Sequence, residues 1–477
     1  MANPQADDGQ EPPRAPALEP VGIGWRRGRW FAALLVGSAV LVAALAAAVS
    51  LSIEGGVNGD SSPSPGAGSS AGRLAFVDGA GALAVADHRG GSVVSLAVAG
   101  VVFGPPAWSP DGTRIAVIGS GPDTAGIYVF DVGSRGTDGS AEPTVIYRSA
   151  DRLPFYLFWS PDGGRVAFLA TEPAGISLRV APADGSAPLD GGADGGIIRE
   201  GAPLYFAWED ASRLLVHVGV GSDAFVGEVD LKGAPVGPVL PGTGDFRAAG
   251  ASSDGRYLAY ARGDPAAGEI VVESRDGASR QHLSVFGPAA LAFDPTGNTL
   301  ASIAADKPIT DPVAFPVGPL RLLDAGTGAV RTLIEGSAIG FFWSPDGRTV
   351  ATLRLGSTGG LSAQSASIFA PAAMTRPLAA ATPAPSVQVH LTFVDVATGD
   401  VRSDRTVRLA DDFVGTILPY FDQYALSHRI WAPDSTSIVL PLVDSNERSR
   451  AVVLAADGAD GAAGRPVADA IDAFWAP

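Results

Sequence analysis

Apolar, β-prone runs of four to six residues recur along the chain and are separated by turn residues. The clearest pair is residues 155–159 and 165–169, joined by Ser-Pro-Asp-Gly at positions 160–163. In a type I turn proline presets φ at the second position, aspartate tolerates the next position and glycine closes the turn. The pattern therefore predicts a β-hairpin in which Trp159 packs at the end of the first strand.

This tryptophan-bearing turn is repeated. Intact or degraded copies begin at Trp108, Trp159, Trp208, Ala251, Phe293, Trp343, Trp431 and Trp475. The intervals between these anchors are 51, 49, 43, 42, 50, 88 and 44 residues. A period of 40–50 residues with several short strands per repeat is typical of a β-propeller with one four-stranded sheet per blade. The sequence therefore predicts an all-β fold.

Eight anchors predict eight blades, and the count becomes seven if the weak unit at Ala251 or Trp208 is misread. The blades are expected at residues 101–150, 153–202, 203–243, 244–287, 288–336, 337–411 and 424–470, with one more shared between 72–99 and 471–477. The opening unit lacks its innermost strand, and residues 471–477 read as an inner strand that stops inside the turn. We expect the C-terminal strand to complete the first blade and to close the ring, which hides the edges of an open array.

The 88-residue interval indicates an insertion between two strands of one blade. Residues 356–386 are rich in alanine, proline, serine and glycine, and the strand pattern resumes after them. No turn anchor marks a further blade in this stretch. The composition predicts a loop that is disordered or lies on one face.

The N-terminal region has a different composition. Residues 1–29 predict a disordered tail, and residues 30–53 run without a charge for long enough to cross a bilayer as a helix. Arg26, Arg27 and Arg29 precede this run, so the positive-inside rule predicts a cytoplasmic N-terminus and an extracytoplasmic propeller. Residues 54–71 predict a flexible linker that leads to the propeller at 72–477.

Two alternatives for the apolar run remain. A cleaved signal peptide is consistent with the small residues at 46–50, although its apolar part would be shorter and nearer the N-terminus. A buried core helix would rarely be so uniformly apolar. A single-pass membrane anchor is the preferred interpretation.

Charge and composition exclude several classes of function. The 477 residues include 33 lysines and arginines against 50 acidic residues, which gives a net charge of −17, and there is no cysteine. An acidic chain is a poor ligand for a phosphate backbone, so no nucleic-acid partner is predicted. The absence of cysteine excludes disulfides, thiolate metal sites, cysteine nucleophiles and lipoprotein attachment.

The repeats resemble the TolB-like, WD-like Pro-Asp β-propeller family, whose mark is a Phe/Trp-Ser-Pro-Asp-Gly turn followed by a basic residue and an apolar strand. Residues 108–118, 158–169 and 342–353 match well, and the resemblance covers residues 72–477. It implies a propeller fold. Such propellers occur as periplasmic partners of membrane complexes, as caps of serine peptidases, in a few lyases and as sensor domains, so the resemblance leaves the function open.

Candidate chemistry is sparse. His88, His217, His282, His390 and His428 fall in different predicted units without metal-ligand spacing. Asp111, Asp162, Asp346 and Asp434 occupy the same turn position in four repeats, which predicts a structural role in the turn. Asp457 and Asp460 resemble part of a calcium loop but lack its alternate oxygen ligands and terminal glutamate, so they are interpreted as an outer loop. We predict no catalytic, cofactor-binding or metal-binding residue.

The preferred function is that of a protein-binding or scaffolding module outside the cytoplasm, with no cofactor. One alternative is a lyase or hydrolase with its site at the central channel. A peptidase would also need a hydrolase domain carrying a Gly-x-Ser-x-Gly elbow, for which the chain is expected to have no room. Another alternative is an extracytoplasmic sensor. The identity of the partner and the oligomeric state do not follow from the sequence.

Overall fold

A computed structural model describes residues 72–133, 142–192, 195–220, 224–241, 249–264, 266–309, 315–356 and 387–477. The predicted tail, apolar run and linker at 1–71 lie outside the described residues, as does nearly all of the predicted insertion at 356–386. Within the described residues no helix is both long and apolar enough to span a bilayer. The described chain is mostly β, and its strands pair in antiparallel sheets.

The first four sheets follow one another along the chain. The first sheet contains β1 (Arg73–Val77), β2 (Leu83–Asp87) and β3 (Val94–Leu96). The second contains β4 (Val102–Phe103), β5 (Ala107–Trp108), β6 (Arg114–Ser120), β7 (Ala125–Asp131) and β8 (Thr144–Ser149). The third contains β9 (Pro154–Trp159), β10 (Arg165–Glu172), β11 (Gly175–Pro182) and β12 (Ile197–Gly201). The fourth contains β13 (Leu204–Asp210), β14 (Arg213–Val218), β15 (Phe225–Asp230) and β16 (Leu240–Pro241).

A ten-stranded sheet follows. Its first five strands are β17 (Gly250–Ala251), β18 (Tyr257–Asp264), β19 (Ala267–Ser274), β20 (Arg280–Phe293) and β21 (Thr299–Ala305). Its last five are β22 (Gly318–Asp324), β23 (Val330–Trp343), β24 (Thr349–Arg354), β25 (Gln388–Asp395) and β26 (Val401–Arg408). The last sheet contains β27 (Ser437–Val443), β28 (Ser449–Ala455) and β29 (Arg465–Asp469).

Two long strands of the ten-stranded sheet each belong to two local groups. In β20, residues 280–285 pair with β19, whereas the residues from Phe286 onward pair with β21. In β23 the first part pairs with β22 and the last part with β24. Gly287 and Gly336 adopt positive φ values of 63° and 93° near these divisions, a conformation that favours glycine. The sheet is therefore divided by bends into three consecutive groups.

The C-terminal strand pairs with the first strand of the described chain. β30 (Asp472–Trp475) lies antiparallel to β1, with Leu74 opposite Trp475 and Val77 opposite Asp472. The order in this sheet is β3-β2-β1-β30, so the strand nearest the C-terminus takes the position that the opening unit lacks.

Both faces of strands such as β1 and β10 are buried, which explains why they read as continuous apolar runs, whereas the outer strands β26 and β29 are largely exposed. In β1, Leu74 and Phe76 pack in one cluster with Val439 of β27. Ala75 and Val77 point to the other side and share a second cluster with residues of β6. The first sheet is thus covered by a neighbouring sheet on either face.

Candidate functional site

A helical segment, residues 413–427, is inserted between β26 and the last sheet. It begins with a π-helical turn (Phe413–Ile417) and a 3₁₀ turn (Leu418–Tyr420) and continues as helix α1 (Phe421–Ser427). The sequence pattern did not predict this segment, and residues 424–427 were assigned to the blade at 424–470. The signal that could have revealed it is helical periodicity among its buried residues, which are Phe413, Val414, Ile417, Leu418, Phe421 and Tyr424.

The helical segment lies where the first strands of several sheets converge. α1 contacts β9, β13, β20 and β23. The ring of Phe421 packs edge-on against Phe341 and Phe342 of β23, with centroid distances of 5.3 and 5.9 Å. The ring of His428, just after α1, packs edge-on against Phe474 of β30 at 4.8 Å. The segment therefore fills space between these strands.

Polar groups fix the end of α1. The Tyr156 hydroxyl of β9 donates a hydrogen bond to the Gln423 carbonyl at 3.0 Å and lies 2.9 Å from Ser427 Oγ. Ser427 Oγ in turn lies 2.7 Å from His428 Nδ1. Burial raises the pKa of Tyr156 well above its usual range, so the hydroxyl stays protonated and available as a donor.

Two buried ionisable groups near the helical segment have shifted pKa values. Burial lowers the pKa of His428 to about 3, so its imidazole is neutral at pH 7. Burial raises the pKa of Asp472 to about 7, and repulsion from the Asp412 carboxylate is a smaller contribution in the same direction. His428 is 3% exposed and Asp472 is 4% exposed, so both side chains are buried.

The tryptophans of the repeated turn join consecutive repeats. Five of the six anchor tryptophans donate through the indole Nε1 to the main-chain carbonyl immediately before the preceding anchor residue, whereas in the described chain the buried Nε1 of Trp475 has no partner. The pairs are Trp108 to Phe474 (3.1 Å), Trp159 to Ala107 (3.0 Å), Trp208 to Phe158 (3.1 Å), Trp343 to Ala292 (3.3 Å) and Trp431 to Phe342 (3.0 Å). The acceptor for Trp108 lies in β30, beside Trp475, at the far end of the sequence.

The turn aspartates receive hydrogen bonds from within their own turns. Ser109, Ser160 and Ser344 donate through Oγ to Asp111, Asp162 and Asp346, each at 2.6 Å. The Ser160 hydroxyl, with a main-chain N–H of the turn, lowers the pKa of Asp162. Asp434 accepts a bond from the N–H of Thr436 at 3.0 Å.

The histidines and the acidic loop are dispersed. His282 and His390 lie on strands with Nδ1 at 2.8 Å from Glu269 and 3.6 Å from Asp404, and His217 is buried in β14. Asp460 is bound to Arg405 at 2.9 Å. In the described ranges no three histidine, aspartate or glutamate side chains are placed to hold a metal ion.

The chain has low sequence identity to several proteins of known structure. No protein-family model matches the sequence. No curated protein matches it either. A solved structure of the dihydro-heme d1 dehydrogenase NirN is 15% identical, with a TM-score of 0.49 over 85% of this chain and 75% of that chain.

TolB from Acinetobacter baumannii is 16% identical, with a TM-score of 0.33 over 70% of this chain and 63% of that chain. An oligogalacturonate lyase from Vibrio parahaemolyticus is 13% identical, with a TM-score of 0.37 over 58% of this chain and 84% of that chain. The chain thus spans less than two thirds of that TolB. Similarity at this level assigns no activity.

Proposed function

We propose that this chain is a membrane-anchored, extracytoplasmic β-propeller of eight blades that acts as a protein-binding or scaffolding module. The ten-stranded sheet, divided at β20 and β23, counts as three blades and the other five sheets as one each. The pairing of β30 with β1 supports a closed ring. The indole bonds support it as well, because they link consecutive repeats and include the bond from Trp108 to the last strand.

The filled interior is the observation that carries the binding function. An enzyme of this architecture would place its site in the central channel, yet residues 413–427 occupy the space between the first strands. A substrate would have to displace Phe421 from Phe341 and Phe342. A rigid ring whose interior is occupied by this segment instead offers its outer surfaces and loops for recognition.

The helical segment also provides a candidate contact surface. Tyr420 and Leu426 are 44% and 42% exposed, although the residues around them are mostly buried. Tyrosine is enriched among interface hot spots, and an exposed leucine adds apolar area to such a contact. We assign the partner surface to the exposed parts of the helical segment that carry these two side chains.

The membrane anchor is the second part of the proposal. Residues 30–53 carry no charge and follow three arginines, which supports a single span with the N-terminus in the cytoplasm. The linker at 54–71 would hold the propeller away from the bilayer. In this arrangement the partner surface faces proteins of the extracytoplasmic space.

The test is chemical crosslinking of the full chain in its native membrane, followed by capture and mass spectrometry. We expect the chain to remain with the membrane after an alkaline wash, and one protein to be captured reproducibly. Leu426→Arg should reduce that capture at least tenfold because it places a charge in an apolar contact.

Val93→Arg is the matched control. Val93 is also exposed, at 58%. It precedes β3, which is the edge strand of its sheet farthest from β30 and from the helical segment. Capture that is lost equally with both substitutions would contradict the assigned surface. No reproducible partner, together with turnover of a sugar polymer by the chain, would contradict the binding function itself.

A further inference from the structure

The strand that pairs with β1 carries a buried acid. Asp472 is the first residue of β30 and lies opposite Val77, with 4% of its surface exposed. Among the described residues its Oδ1 atom has no hydrogen-bond partner. A buried carboxylate without partners is costly, whereas a neutral carboxylic acid is tolerated much better.

The groups that face Asp472 provide no compensating positive charge. Asp412 and Tyr424 interact with it electrostatically from the helical segment. Residues 74–77 of β1 and all of β27 lack ionisable side chains. Arg429 contacts β30 through its main-chain carbonyl, and in the described chain Asp472 forms no ion pair.

β30 is held from three sides. It pairs with β1, its Trp475 N–H donates to the Arg429 carbonyl at 2.8 Å, and its Phe474 carbonyl accepts the indole bond of Trp108. The ring of Phe474 also packs on His428, which is neutral and remains so across the neutral pH range. A change of charge on Asp472 therefore acts on the seam between β1 and β30 and on the end of the helical segment.

We propose that Asp472 is a pH-sensitive latch: in its protonated form it keeps β30 in place, and its ionisation loosens β30 from β1 and from the helical segment. The device is distinct from the partner surface and does not depend on the binding function. It makes the joint between the two ends of the described chain responsive to pH near neutrality.

The direction follows from linkage. The pKa of Asp472 is raised from its usual value near 4 to about 7 when β30 is in place. The paired state then binds a proton that the open state releases, so pairing is most stable below about pH 4 and weakens as the pH rises to about 7. Between pH 6 and pH 8 the open fraction should rise about tenfold.

Hydrogen exchange of the full chain, followed by mass spectrometry at pH 6 and pH 8, tests the latch. We expect the protection factors of residues 73–77 and 472–475 to fall about tenfold at the higher pH. Asp472→Asn should remove this pH dependence because the amide stays neutral. Asp123→Asn, which changes an exposed loop aspartate by the same charge, should behave as the unmodified chain does.

Equal protection factors at both pH values in the unmodified chain would overturn the proposal, as would a pH dependence retained by Asp472→Asn. Asp412→Asn provides a second variant if Asp472→Asn fails to fold. It removes the neighbouring charge, so the loss of protection should move to lower pH and become smaller between pH 6 and pH 8. An unchanged profile in that variant would also count against the latch.

Discussion

At the scale of single residues, Trp159 shows how the repeated turn contributes to tertiary structure. Its indole N–H donates to the Ala107 carbonyl of the preceding sheet at 3.0 Å, and the guanidinium of Arg114 lies 4.9 Å from its ring centroid. Arg114 also donates to the Gly163 carbonyl in the turn that follows Trp159. One repeat is thus joined to the previous one by a hydrogen bond, a cation–π contact and a turn contact.

Replacement of Trp159 by phenylalanine tests this role. The substitution keeps an aromatic ring but leaves a buried carbonyl without its indole donor, which should cost about 1–3 kcal/mol of the free energy of unfolding. Urea denaturation of the full chain measures the loss. Trp343→Phe is the control, since its bond is longer at 3.3 Å and Trp343 is less buried, so its cost should be smaller. Equal costs would argue against the indole bond as the cause.

Residue-scale features were the most accessible from the sequence. The turn chemistry of Ser160, Asp162 and Gly163 is local, so residue type alone indicated it. The acceptors of the indole bonds were not predictable, because Ala107 is recognised only through its main-chain carbonyl. The raised pKa of Asp472 likewise arises from burial and from Asp412, which is 60 positions away in sequence.

At the scale of secondary-structure elements, the helical segment is the main departure from the repeat. Strand patterns dominate the chain, and the predicted blades leave residues 412–423 unassigned. The segment is instead helical because apolar residues at 413, 414, 417, 418, 421 and 424 fall on the side that packs against the strands. The segment occupies the interior through contacts with several sheets. These contacts are far apart in sequence, so a short stretch of sequence does not predict them.

Phe421 is expected to be the principal apolar contact of this segment. Phe421→Ala should lower the free energy of unfolding by about 3–5 kcal/mol, because it removes a buried ring packed between Phe341 and Phe342. Leu426→Ala on the same helix should change it by less than about 0.5 kcal/mol, since Leu426 is exposed. Urea denaturation compares the two variants. Similar losses would mean that the segment does not pack through Phe421.

At the scale of the whole molecule, the order of the sheets follows the order of the repeats, and the joint between β30 and β1 brings together residues about 400 positions apart. This pairing was predictable because the two ends of the described chain are complementary. The first unit lacks its innermost strand, and the C-terminal unit consists of one inner strand. The proposed membrane span and the predicted insertion rest on composition alone. The proposed partner surface could not be predicted, because it depends on which side chains the fold leaves exposed.

The pairing of β30 with β1 can be tested by disulfide trapping, because the chain has no cysteine of its own. Phe76 and Ala473 lie directly opposite each other, and the N–H of Ala476 donates to the Arg73 carbonyl at 2.9 Å. In the antiparallel alternation Phe76 and Ala473 are therefore a non-hydrogen-bonded pair with closely spaced side chains. The double variant Phe76→Cys, Ala473→Cys should be oxidised to an intramolecular disulfide in the native chain, seen as faster migration without reductant. Two free thiols in the folded double variant, with migration identical to that of the single variants, would contradict the closed ring on which this account depends.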